Sequence, residues 1–153
     1  MRGSSTDLKL VLLDGAPIHT PFHMAGLVES FDPQALGGAS LFLGGAPARY
    51  DGGLSYILDL RSRSPRTDRL AGSAAIDLLS ARAFVEGPIT GSTGFLVSAR
   101  TLHDLGTPLL GQGSSPYGFE DMLARLQWEG EDETGVYLTG FWNRESVDLD
   151  ILS

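Results

Sequence analysis

The chain reads as all-β: a single antiparallel eight- or nine-stranded β-barrel with at most one short helix. Three observations predict it. Apolar and polar residues alternate with period two in one run after another, the pattern of strands with unlike faces. Turn residues (Gly, Pro, Asp, Asn) punctuate the chain about every eight to twelve residues, the spacing of small β-folds. Several runs carry large apolar residues on both faces, which favours a closed barrel over a sandwich.

Taken in order, Leu8 to Leu13 is an apolar run closed by Asp14-Gly15 and Pro17, a first strand. His19 to His23 connects it to Met24 through Phe31, an alternating run ended by Asp32-Pro33. Ser40 to Leu43, between two glycine pairs, predicts a bent or edge strand. Asp51-Gly52-Gly53 is a hairpin signal, and the strand after it, Leu54 to Arg63, sets Leu54, Tyr56, Leu58 and Leu60 against Ser55, Ile57, Asp59, Arg61 and Arg63. Asp59 with Arg61 on one face could be a lumen pair or a plain exposed pair, and the exposed pair is the expectation. Leu70 to Glu86 reads as two strands or one long bent strand. Phe95 to Arg100 follows the turn Gly91-Ser92-Thr93-Gly94, and residues 102–117, rich in Gly and Pro, form a long loop suited to capping a cavity. Phe119, Met122, Leu123 and Leu126 fall at helical spacing, which predicts the one helix over 116–126. The chain from Leu126 to Leu152 then divides at Glu131-Asp132-Glu133 and at Asn143-Arg144-Glu145 into three runs, predicting two successive hairpins. In its middle run Val136, Leu138 and Trp142 share one face, and Tyr137, Thr139 and Phe141 the other. A strand so divided can lie between a core and a ligand cavity.

One domain, 1–153, accounts for the whole length, and 42% hydrophobic with 20% charged residues makes it globular. Cysteine is absent, which removes disulfides, thiol nucleophiles and thiolate metal sites. A formal net charge of −8, with ten Arg and one Lys, argues against nucleic acid as a partner. The arginines from Arg61 to Arg69 read as a solvated loop. No apolar run approaches the roughly 20 residues that span a membrane, and the polar start lacks a signal peptide's apolar core, so a cytoplasmic location is expected. The bias to Ala, Gly, Arg and Asp suggests a GC-rich bacterial source.

Recognisable reaction motifs are few. His19 and His23 are four residues apart, but Pro17 and Pro21 oppose the helix that would bring them together on a metal. The glycine pairs match neither a phosphate loop nor a dinucleotide fingerprint, and Gly91-Ser92-Thr93-Gly94 is not a nucleophile elbow. Glu86, beside Phe84 and Val85, and Glu129, beside Trp128, are carboxylates whose apolar neighbours could raise their pKa, although an outward position is the simpler expectation. The aromatic residues carry more weight. Tyr56, Phe95, Trp128, Tyr137, Phe141 and Trp142, together with Met24 and Leu58, suit an apolar lumen with a few hydroxyl donors. Taken singly, each is better explained as core than as cavity lining.

Asp51-Gly52-Gly53-Leu54 leading into a Tyr-bearing strand, and Gly135-Val136-Tyr137-Leu138-Thr139-Gly140-Phe141, resemble motifs of the small β-barrel cyclases of bacterial polyketide pathways. These are spirotetronate-cyclase-type enzymes related to the allene oxide cyclase (calycin-like) barrel. The resemblance implies an eight-stranded barrel, a homodimer in many cases, no cofactor, and an intramolecular ring closure of cycloaddition type. Catalysis would then come chiefly from holding the substrate folded. The acidic C-terminal hairpin and the Gly/Pro loop depart from that pattern.

The expectation is therefore a cofactor-independent cyclase or isomerase acting on an apolar, polyketide-like molecule. Tyr56, Tyr137 and Glu86 are the candidate catalytic groups; Phe95, Trp128, Phe141, Trp142, Met24 and Leu58 line the substrate site. No metal is expected. A non-catalytic carrier and a structural assembly β-domain are the alternatives.

Overall fold

The structure, a computed structural model, describes residues 9–23, 28–43, 47, 50, 56–77, 80–102, 117–132 and 134–147. It is nearly all β, with no α-helix among the described residues. The strands are β1 (Lys9–Leu13), β2 (Ala16–Pro17), β3 (Phe22–His23), β4 (Val28–Glu29), β5 (Leu36–Leu43) and β6 (Tyr56–Ser62), followed by β7 (Ala71–Ile76), β8 (Ser80–Thr90), β9 (Thr93–Leu102), β10 (Tyr117–Glu129) and β11 (Gly135–Val147). The 3-10 turn Pro33–Ala35 is started by Asp32, whose carboxylate accepts the Gln34 N–H at 2.9 Å.

Two sheets dominate, where the sequence predicts one closed barrel. The first has the order β2-β1-β6-β5; the second is an antiparallel meander, β11-β10-β9-β8-β7; β3 and β4 pair separately. Among the described residues no strand pair joins the two large sheets. The first sheet also departs from purely antiparallel pairing, because β1 and β6 run parallel, from Lys9 opposite Tyr56 to Leu13 opposite Leu60. Parallel neighbours need a long crossover, and residues 14–55 supply it.

The main core lies between the sheets: Leu13 and Leu60 from the first meet Phe84, Leu96 and Leu123 from the second, with Phe31 and Ala35 closing one side. Leu58 and Phe141 pack at its margin. A second, smaller core on the other face of the first sheet holds Leu12, Tyr50 and Ile57. Strand β6 is thus buried on both faces, which is why its alternation is of large apolar against mixed residues rather than apolar against polar.

Several expected elements hold. The Leu70–Glu86 segment is two strands, β7 and β8, paired from Ala71 opposite Glu86 to Ile76 opposite Ala81. The Asp14-Gly15 turn has positive φ at both residues (50° and 85°), the geometry of a tight hairpin turn, and it joins β1 to β2. The acidic turn after Glu129 joins β10 to β11.

Two expectations are overturned. The segment 116–126 is not a helix: it opens the 13-residue strand β10, paired on both sides. Its buried positions are Phe119, Asp121, Leu123 and Arg125, a strict alternation. Two of these four are charged, so the period-two pattern is hidden from a hydrophobicity reading, while the exposed Met122 and Leu126 complete a misleading helical stripe. Nor do Asn143, Arg144 and Glu145 form a turn, since β11 continues through them, opposite Asp121, Glu120 and Phe119. Phe119 and Asp121 bury against the core, and pairing along this whole length outweighs the weak turn preference of the three polar residues. The Asp51-Gly52-Gly53 hairpin, residues 103–116 of the long loop, Met24 and the run beyond Val147 lie outside the described residues.

Candidate functional site

The site grows from the turn at Asp14. A non-glycine residue at φ 50° is strained unless its surroundings hold it there, and here they do. The Ser62 N–H donates to Asp14 Oδ1 at 2.9 Å, and the Thr139 hydroxyl donates to Oδ2 at 2.6 Å. The Ser62 hydroxyl donates to the same Oδ2. Arg125 Nη1 stands 3.5 Å from that oxygen and donates to Ser62 Oγ at 2.7 Å. Burial opposes the carboxylate's charge, but these hydroxyl, backbone and guanidinium partners outweigh it and hold Asp14 below its ordinary carboxylate range. The network ties the β1–β2 turn and the end of β6 to β10 and β11.

Strand geometry explains the convergence. Arg125 and Thr139 are directly opposite on β10 and β11, with side chains facing the first sheet. Gln127 accepts from Arg125 Nη2 at 2.7 Å, fixing the guanidinium plane, and the Tyr137 ring lies 4.2 Å from the guanidinium carbon.

Beside this network opens a cavity of about 620 Å³. Asp14, Ser62, Arg125 and Tyr137 line it, together with Tyr50, Asp59 and Arg61. The Tyr50 hydroxyl donates to Asp59 Oδ2 at 2.6 Å, and both residues are buried. The expectation that Asp59 is exposed is therefore overturned: it faces the smaller core and the cavity, with Tyr50 supplying the hydrogen bond that a buried carboxylate needs. The cavity is a mixed polar and apolar space rather than an apolar lumen.

Of the expected site residues among those described, Tyr137 alone lines this cavity. Glu86 is buried, but it is engaged by Arg63 and by the Arg66 N–H at 3.3 Å, and it anchors the arginine-rich segment. That segment is accordingly pinned at Arg63, whose guanidinium carbon also sits 4.9 Å from the Phe84 ring centre. Tyr56 is partly exposed at the start of β6. Leu58 packs on the main core, and Phe141 stacks on Phe31 with ring centres 4.9 Å apart. Phe95, Trp128 and Trp142 belong to the opposite, outward face of the second sheet, where alternation along β9, β10 and β11 sends them. Glu129 is exposed at the hairpin end. Among the described residues no group of three or more His, Asp or Glu side chains is placed to hold a metal ion.

Asp14, Tyr50, Ser62 and Arg125 are the site residues that sequence patterns did not pick out. Asp14 reads as an ordinary turn residue. Arg125 had one available signal: with β10 taken as a strand, Asp121 and Arg125 fall at alternate positions with Phe119 and Leu123, and charges in such a register point to a buried polar function. No family model matches the chain, and no curated protein or solved structure does either.

No helix among the described residues is long and apolar enough to cross a membrane.

Proposed function

We propose that the protein binds an oxygenated small molecule in the cavity between the β1–β2 turn, β6 and the β10–β11 hairpin, and acts on it as a cofactor-independent cyclase or isomerase. The observation that carries this reading is the Tyr50–Asp59 pair, a buried carboxylate held by a phenol at 2.6 Å on the wall of a cavity of about 620 Å³. That volume lies within the usual range for small-molecule sites. In this reading the two sheets are the opposed walls of one barrel-like enclosure in the cytoplasm of a bacterium.

Roles follow from position. Asp59, fixed by Tyr50, takes a proton next to a carbonyl, and Tyr50 can return one. Arg61, which also lines the cavity, faces the oxygen on which negative charge develops. Tyr137 supplies an apolar face that holds the chain folded, so that ring closure gains from proximity. Asp14 accepts hydrogen bonds at both oxygens from the protein itself, which suits a clamp rather than a base. Proton chemistry thus moves from Tyr56 and Glu86 to Tyr50 and Asp59. Polyketide-like linear precursors remain the substrate class this reading favours, now with polar oxygens facing the Asp59 and Arg61 wall.

The test is calorimetric titration with a panel of oxygenated polyketide-like compounds, followed by chromatography of the mixtures. Saturable binding that weakens in Tyr137→Ala, with conversion to a product of unchanged mass that stops in Asp59→Asn, supports the cyclase. Binding without conversion leaves a carrier, and no binding by any compound overturns the site.

A further inference from the structure

The outward face of the five-stranded sheet is built like an interior. Its cross-strand rows can be read from the register. Leu126 lies between Leu138 and Phe95, Ala124 between Gly140 and Val97, and Met122 between Trp142 and Ala99, which continues to Ala83 and Ala74. Met122, Trp128, Trp142, Leu138 and Val136 are between 44% and 72% exposed. The next row on this face holds its charges, Glu120 and Arg144, which are directly opposite each other and of opposite sign. Single exposed apolar residues are ordinary, but a continuous face of them is not.

From this face we infer that two copies of the chain associate through the outward faces of β7 to β11, sheet against sheet. Size supports a second copy. Five strands about 4.8 Å apart and rows spanning about 27 Å give a footprint of roughly 500 to 600 Å² before side-chain relief, near the ~800 Å² per partner of a standard stable interface. Charge supports it too. The chain carries a net charge of −8, so two copies repel each other in general, and they can meet with least cost on the face where the one opposed pair is neutral. The same net charge disfavours an anionic lipid surface. Shape is also self-complementary. The alanine row Ala74, Ala83 and Ala99 floors a depression of about 540 Å³ bounded by Met122 and Trp142, with Glu120 at its polar end. A two-fold axis lets Trp142 of each copy enter the depression of the other. Buried aromatic anchors of this kind carry much of the energy of protein interfaces.

The experiment is sedimentation velocity on the full chain, over roughly a hundred-fold range of micromolar concentration. The expected result is a dimer for the wild type. Leu138→Glu, Trp142→Glu and Val136→Lys should each weaken association about thirty-fold or more with unchanged circular dichroism. Leu41→Glu, exposed on β5 of the other sheet, should leave it intact. Wild type that stays monomeric throughout overturns the inference, and so does a dimer that survives all three folded variants or is lost equally in Leu41→Glu. A monomer that cosediments with phosphatidylcholine vesicles also overturns it and assigns the face to lipid.

Discussion

Arg125 and Tyr137 are diagonal neighbours across the β10–β11 hairpin, and the guanidinium carbon of one lies 4.2 Å from the ring centre of the other. The contact joins the clamp on Asp14 to the cavity wall, so the ring that faces a ligand also shields a buried cation.

Removing the ring separates these roles. Tyr137→Ala should cost about 0.5–2 kcal/mol of stability, the range for a cation over an aromatic face. Tyr137→Phe should keep that stability, because a phenyl ring retains the face. Chemical denaturation of both variants checks this; an equal loss in Phe would mean that the hydroxyl, not the face, matters.

Acid should loosen the clamp in a definite direction. The folded value of Asp14 is lowered below the ordinary 3.8, so its ionised form contributes stability that is complete above 3.8 and is lost as pH falls through the folded value. Asp14→Asn cannot titrate and also leaves Arg125 without its counter-ion. It should be less stable than wild type at neutral pH by about 3–5 kcal/mol, the cost of breaking a buried pair. The gap should narrow below pH 3.8. Thermal melts of both proteins across that range decide the point, and a constant gap would remove Asp14 from the account.

The Tyr50–Asp59 bond should be measurable without a substrate. Tyr50→Phe leaves a buried carboxylate short of a donor and should cost about 1–3 kcal/mol. Guanidinium unfolding reads the change; no loss would mean that water replaces the phenol easily and that Asp59 is not held for chemistry.

Strand β10 offers a sharper contrast. Met122 and Leu123 are adjacent, one 44% exposed on the outward face and the other 3% exposed in the core. Leu123→Gln should cost several kcal/mol, about 2–5 for the lost packing alone, whereas Met122→Gln should stay within about 0.5 kcal/mol in the monomer. On a helix the two would share one apolar stripe and suffer alike, so similar losses would contradict the strand.

Sequence by itself determined the local chemistry of this chain: a strand from the apolar run Leu8 to Leu13, seen over Lys9–Leu13, one from the alternating run Leu54 to Arg63, seen over Tyr56–Ser62, one at Phe95 to Arg100, seen within Thr93–Leu102, and the turns at Asp14-Gly15 and Glu131-Asp132. These depend on neighbours one to four residues away, which the chain order lists directly. Tertiary structure alone decided what lies far apart in sequence. It set β1 parallel to β6, made a strand of the segment with helical spacing, and turned Trp128 and Trp142 outward while Phe141 turned in. It also brought Asp14, Ser62, Arg125 and Thr139 together across separations of up to 125 residues. The physical reason is that alternation shows that a strand has two faces but not which one is buried, and a one-residue change of register exchanges them. Here a second sheet chose the face, and it chose the one on which Arg125 meets Asp14 and Ser62.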